Sequence, residues 1–264
     1  MKTNTPEEAD LIIQKLPSDM GIHRNPRKGT LNAPEKILDD YSFEKEVFID
    51  EVFPDEFSLE ETHENIAENT KNLQKYGKPI ISIGGDHSIS FPVIKELKKQ
   101  NPDMKLVWLD AHLDLKEKVD NHVSHDVVAR ELLEHGFSED EIYFVGITKI
   151  DHDEEAFLED RKINVYEPKE VEEFKREFDS DEQPVYLSVD IDVLTEKEAP
   201  GTGYPDGDLS VEEAKQIIGF IEPDFADLVE TAPPLDKKEK TVENSQKILN
   251  KLVRNFSLNP PAKE

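Results

Sequence analysis

Cysteine is absent from this 264-residue chain, so disulfides, thiolate nucleophiles and zinc–thiolate sites are excluded, and any metal must be held by oxygen and imidazole. Long apolar runs are missing too. Nothing approaches the ~20 apolar residues that cross a bilayer, and Met1 to Leu16 lacks the apolar core of a secretory signal, so a cytoplasmic location is expected. Positive charge is scarce: 32 Lys and Arg face 60 Asp and Glu, for a net charge of -28. That balance repels nucleic-acid phosphates and anionic membranes and excludes both as expected partners. The acidic residues are spread along the whole chain instead of gathering at one motif, as on a halophilic surface suited to high salt. The same charge attracts a cationic substrate.

Apolar residues make up 36% of the chain and gather into short runs such as Pro79 to Ile83, Lys105 to Leu109 and Val185 to Val189. These runs alternate with helical stretches, the pattern of βαβ units stacked on a parallel sheet in one domain spanning residues 1–264. Strands are expected near Ile80, Val107, Phe144, Val165, Val185 and Leu228, with a further candidate at Glu46 to Ile49. Helices are expected at Ser124 to Glu134, Val211 to Phe220 and Thr241 to Phe256. Ser58 and Glu61 form a capping-box pattern ahead of a long polar helix that should stop at Gly77. In the lead-in, residues 1–20, Thr5 and Pro6 suggest a helix start, with Leu11, Ile12 and Leu16 as its apolar stripe. A loop with Arg24, Pro26, Arg27 and Gly29 follows, and the end of the chain, residues 257–264, is expected to fray.

Polar clusters follow four of the expected strands: Gly84-Gly85-Asp86-His87, Asp110-Ala111-His112-Leu113-Asp114, Asp190-Ile191-Asp192, and Glu230. Ligands of open parallel sheets bind beyond the carboxyl ends of the strands, so the four clusters should converge on one edge. Every-second spacing in extended backbone would turn Asp110, His112 and Asp114, and likewise Asp190 and Asp192, toward one side. With His87 these are six candidate ligands, four carboxylates and two imidazoles, more than one ion needs. Two cations bridged by carboxylates fit the count, because unpaired buried carboxylates are costly to keep ionised. Mostly oxygen ligation with some nitrogen suits Mn²⁺, with Fe²⁺, Co²⁺ or Zn²⁺ as substitutes.

With the loop Ala199-Pro200-Gly201-Thr202-Gly203 and Glu230 ahead of Pro233, these motifs, in this order, resemble the ureohydrolases: arginase, agmatinase and their relatives. The resemblance runs from about Gly21 to the last helix. It implies a three-layer α/β/α sandwich, two Mn²⁺ per chain, a homo-oligomer, and hydrolysis of a cationic guanidino compound to urea and an amine. It also assigns residues. His87, Asp110, Asp114 and Asp190 would hold one ion; Asp110, His112, Asp190 and Asp192 would hold the other. Asp114 would also orient the attacking water, Glu230 would pair with the guanidinium, and His125 would shuttle a proton, with His122 as the nearest rival. Asp126 departs from the family pattern, which often has glycine there, and affects the pocket mouth. His135 reads as a helix C-terminal residue, and His23, His63 and His152 as surface histidines.

The segment between Asp114 and His125 lacks the Ser-Gly-Asn string with which arginases grip the amino-acid end of arginine. This favours an agmatinase-like enzyme converting agmatine to putrescine, ahead of an arginase or a guanidino-acid or formimino hydrolase. Two rivals remain. Binuclear metallophosphoesterases also open on Asp-x-His but need late histidines, and none follows His152. A non-catalytic binding subunit would have lost ligands, whereas all six candidates are present. The acidic surplus generates a test of its own. Added NaCl screens the self-repulsion, so thermal midpoints should rise along a salt series; a flat or falling midpoint would contradict a salt-adapted surface.

Overall fold

In the computed structural model, residues 1–23, 27–120, 122–180 and 182–256 are described; Arg24 and Pro26 of the expected loop, and the expected frayed end at 257–264, lie outside them. Among the described residues eight strands form one sheet: β1 (Leu11–Leu16), β2 (Val47–Glu51), β3 (Ile80–Gly84), β4 (Lys105–Leu109), β5 (Ile142–Val145), β6 (Asn164–Tyr166), β7 (Val185–Asp190) and β8 (Phe225–Val229). Their spatial order is β2-β1-β3-β8-β7-β4-β5-β6, and every pairing is parallel. The chain builds β1 to β3 on one side, leaps to β4, and later returns with β7 and β8 to fill the gap. The four strands expected to carry chemistry, β3, β8, β7 and β4, are therefore consecutive neighbours in the middle of the sheet.

Both faces of the sheet are covered, which explains why its strands read as continuous apolar runs. Alternate residues of β4 serve opposite layers. Leu106 and Trp108 pack with helices α2 (Leu59–Gln74), α3 (Ser90–Gln100) and α4 (Val128–Glu134), with Phe157 and Leu158 of α5 (His152–Leu158) at the margin. Val107 and Leu109 pack with α1 (Ala33–Leu38), α6 (Val171–Glu177), α7 (Val211–Ile221) and α8 (Lys240–Asn255). This is the expected three-layer α/β/α sandwich. Ser58 caps α2 by accepting from Glu61 N at 3.1 Å, and Gly77 follows that helix at φ +59°. Among the described residues no helix is long and apolar enough to cross a membrane.

The lead-in differs from expectation. Pro6–Glu8 forms only one 3-10 turn, and Leu11–Leu16 is a fully buried strand instead of a helical stripe. Its register explains the change: Ile12 and Ile13 pair with Phe48 and Ile49 on one side and with Ile80 and Ile81 on the other. The polar residues of β1 are compensated across the fold. Gln14 Nε2 donates to Asn69 Oδ1 at 2.7 Å, and Lys15 Nζ pairs with Glu51 at 2.9 Å and Glu35 at 3.1 Å. Tertiary pairing overrides a weak helical pattern here.

The β1–β3 ladder continues past its strand ends, where Gly85 N donates to Leu16 O and Asp86 N to Ser18 O, at 3.1 and 2.9 Å. A Cβ on Gly85 would lie 2.2 Å from Ser18 O, so only glycine permits this approach. Gly85→Ala is expected to cost about 1–3 kcal/mol, as overpacking does, and to displace His87. Denaturant melts check the first; a stability equal to the parent would show that the loop yields freely.

Candidate metal centre

Three of the strand ends use the same local device. Asp86, Asp110 and Asp190 each accept, through Oδ1, the backbone N–H two residues on: Ser88 N at 2.9 Å, His112 N at 2.7 Å and Asp192 N at 2.7 Å. Each turn bends the backbone out of the strand while immobilising one carboxylate oxygen. Convergence is thus achieved by turns, and not by the extended alternation that the spacing suggests. Asp190 ends β7, Asp192 lies in the 3-10 turn Ile191–Val193, and Asp114 sits at φ 51°.

All six expected ligands come together. His87 Nδ1 lies 3.2 Å from Asp110 Oδ2, 3.2 Å from Asp114 Oδ2 and 3.3 Å from Asp190 Oδ2. His112 Nδ1 lies 3.0 Å from Asp192 Oδ2 and 3.5 Å from Asp110 Oδ1. Candidate ligand atoms of His87, Asp110 and Asp190 lie within 4.8 Å of one another, as do those of Asp110, His112 and Asp192. Asp110 therefore belongs to both groups. His87 stacks on Trp108, with ring centroids 4.0 Å apart and planes 6° off parallel. Glu230, at the end of β8 with φ 63°, accepts from His87 N at 2.8 Å through Oε1. The same oxygen lies 3.7 Å from His125 Nδ1.

The arginase-family model matches residues 9–254 of this chain. The chain belongs to the arginase family. An agmatinase of Bacillus anthracis is 28% identical over 269 residues, covering 94% of this chain and 92% of that protein. An N(1)-aminopropylagmatine ureohydrolase of Thermus thermophilus is 28% identical, covering 86% and 84%. A crystal structure titled as a hypothetical agmatinase of Burkholderia thailandensis shares the fold, with TM-score 0.84 and 23% identity over 97% of this chain and 88% of that one. The chain is accordingly an arginase-family hydrolase with agmatinase relatives across most of its length.

The electrostatics of this ureohydrolase's cluster are those of a site short of positive charge. Burial, then Asp192 and Asp110, push the Asp190 carboxyl well above the usual range. Burial and the charge of Asp110 raise Asp114 to about 7, and burial raises Asp192 to about 6. Asp110 alone falls below the ordinary value, because His112 and His87 outweigh the upward push of burial. Burial lowers the pKa of His87, but its three carboxylate neighbours more than reverse this and hold it well above the ordinary value. Among the described residues, His87 Nδ1 and Asp110 Oδ2 are buried without a hydrogen-bond partner although they face each other. Orphaned donor atoms of this kind, in a mixed oxygen and nitrogen set, fit divalent cations.

The cavity over the cluster contains His112, Asp114, Asp190, Asp192, His125 and Glu230, and with them a mouth that sequence reasoning largely missed. Tyr204 stacks on His125 (6.0 Å, 16°) and meets His112 edge-on (5.8 Å). Lys116 Nζ pairs with Asp151 at 2.9 Å and lies 3.8 Å from Asp126, whose Oδ1 accepts from Ser124 Oγ at 2.6 Å. Lys149 Nζ lies 3.5 Å from Asp206, which is 3.4 Å from His112 Nε2. Only Asp126 stood out in the sequence; the others come from separate loops without periodicity. His122 is exposed and does not line this cavity. His135 ends α4 as expected, its Nδ1 bonded to Glu131 O at 2.7 Å, and His23 and His152 are exposed. His63 is not on the surface. It is buried on the inner face of α2, 3.4 Å from Ser88 Oγ, and burial lowers its pKa to about 4.

The raised carboxyls set the sign of a pH effect. Without cations Asp114 and Asp192 retain protons near pH 6, so a cation entering the cluster must displace them. Mn²⁺ affinity should therefore fall as pH drops from 7 to 5, by up to about tenfold per unit for each proton displaced. Calorimetric titrations in buffers of different ionisation enthalpy count the protons, and a pH-independent affinity would contradict the account.

Proposed function

We propose that this ureohydrolase holds two Mn²⁺ ions and hydrolyses agmatine to urea and putrescine. The observation that carries the reading is the convergence of all six candidate ligands on one cluster, four of which line a cavity with Glu230 and His125. His87, Asp110, Asp114 and Asp190 would hold one ion, and Asp110, His112, Asp190 and Asp192 the other, with Asp110 and Asp190 shared. Bound divalent cations supply Lewis acidity and a water whose pKa is lowered toward neutrality.

The chain's own groups account for the remaining requirements. Glu230 offers a carboxylate to a planar guanidinium, and its anchored Oε1 fixes the carboxylate plane. Burial, then Asp86, raise its pKa well above the ordinary value, a shift that the arriving cation would reverse. His125 is half-buried and desolvation lowers its pKa, so a neutral imidazole is available to take a proton and pass it to the departing amine. Asp114 can accept a hydrogen bond from the water that attacks the guanidinium carbon. At the mouth, Asp126, Asp151 and Asp206 outnumber Lys116 and Lys149, which favours a substrate with a cationic tail. The two lysines support a second reading, a guanidino acid whose carboxylate displaces an aspartate from one of them.

A urea-release assay with Mn²⁺ across agmatine, arginine and guanidinobutyrate separates these readings. Agmatine should show the highest kcat/KM; a preference for guanidinobutyrate would overturn the cationic-tail assignment. Glu230→Gln should keep metal but lose guanidinium binding and most turnover. His125→Ala should keep metal and KM while kcat falls by ~10²-fold or more. Loss of metal from both variants would reduce these residues to supports of the cluster.

A further inference from the structure

Behind His87 lies a second polar group that the proposed reaction does not use. Asp227, on β8, is fully buried, yet its carboxylate receives Tyr186 OH at 2.7 Å on Oδ2, with Ser188 Oγ at 2.8 Å and Val189 N at 3.2 Å on Oδ1. Ser188 pairs with Asp227 in the β7–β8 register, and its Oγ also lies 2.8 Å from His87 Nε2. The path thus runs from β8 through β7 to the loop after β3.

A count of hydrogens along this path decides the state of the imidazole. A serine hydroxyl bridging two groups has one hydrogen, and alone it could donate to Nε2 or accept from it. Asp227 removes the choice. Its Oδ1 also receives Val189 N and so acts as an acceptor; the Ser188 hydrogen is committed to it, and the Ser188 oxygen can only accept from His87. The proton of the imidazole must then reside on Nε2. Nδ1, which faces Asp110, Asp114 and Asp190, is left to carry the lone pair whenever a cation arrives. Trp108 fixes the ring plane by stacking, while Asp227 fixes which nitrogen is free.

We propose that Asp227 is a positioning residue for the metal centre: acting through Ser188, it holds the His87 proton on Nε2 and so presents Nδ1 as a ligand. The inference rests on the reading that His87 is a metal ligand, and the test keeps the two apart. Mn²⁺ calorimetry on the full chain, with ¹¹³Cd spectra of the Cd²⁺-loaded form, first compares the parent with His87→Ala, which identifies the ion that His87 holds. Asp227→Leu removes the acceptor while keeping the branching at Cγ. It should weaken that ion by roughly 10–100-fold and move its ¹¹³Cd resonance, leaving the other ion unchanged. Asp227→Asn can keep an amide oxygen toward Ser188 and Val189 N and should restore most of the affinity. Tyr186→Phe, which leaves Ser188 bonded, should bind as the parent does.

Equal affinities in Asp227→Leu and the parent would overturn the proposal, as would a loss in Asp227→Asn as large as in Asp227→Leu. If Asp227→Leu does not fold, Ser188→Ala carries the test. It cuts the same link and must weaken the same ion, and unchanged binding there overturns the proposal. If His87→Ala itself loses no ion, His87 is not a ligand, and this inference falls together with the assignment beneath it.

Discussion

The constraint on which the molecule depends is the confinement of Asp110, Asp114, Asp190 and Asp192 in one buried space beside His87 and His112. Two like charges 4 Å apart repel by about 4 kcal/mol even at an effective dielectric of 20, and burial adds to the cost of each. Raised carboxyls and a raised His87 are the form this tension takes without cations. An arrangement so unfavourable for a bare polypeptide is retained only by over-determined surroundings. Those surroundings are four adjacent central strands, whose ends all open at one edge, and turns that lock half of each key carboxylate to the backbone.

Much of this was legible because the physics is local. Seven strands announced themselves as apolar runs, and polar clusters lay directly after four of them. β1 was misread because Gln14 and Lys15 interrupt its run, and their partners Asn69, Glu35 and Glu51 come from distant parts of the chain. His63 failed for the same reason: nothing near it in sequence shows that α2 lays it over Ser88. The six candidate ligands do come together, but not by the geometry that the spacing suggests. Every-second spacing marks an aspartate-capped turn at a strand end, in which the carboxylate accepts the backbone N–H of the residue two positions on.

That turn also gives the shared carboxylate its division of labour. Asp110 Oδ1 is tied to His112 N, whereas Oδ2 has no hydrogen-bond partner among the described residues and faces His87 Nδ1. One oxygen serves the fold and the other is left for the cluster. Asp190 repeats the scheme, with Oδ1 on Asp192 N and Oδ2 toward His87. The cluster is therefore rigid by construction, since moving either carboxylate would release a backbone N–H in a buried site.

The mouth is built on the opposite principle. Lys116 is shared between Asp151 and Asp126, Lys149 reaches Asp206 only at 3.5 Å, and Tyr204 is 39% exposed while stacked on His125. These charges are wet, so their pairs are weak and exchangeable. A substitution such as the aspartate at 126 can alter the field met by the far end of a substrate while Asp110 and Asp190 stay locked. The same fold can hence keep one hydrolytic centre and vary the compound it accepts, because the two tasks are assigned to parts of the structure with different costs of change.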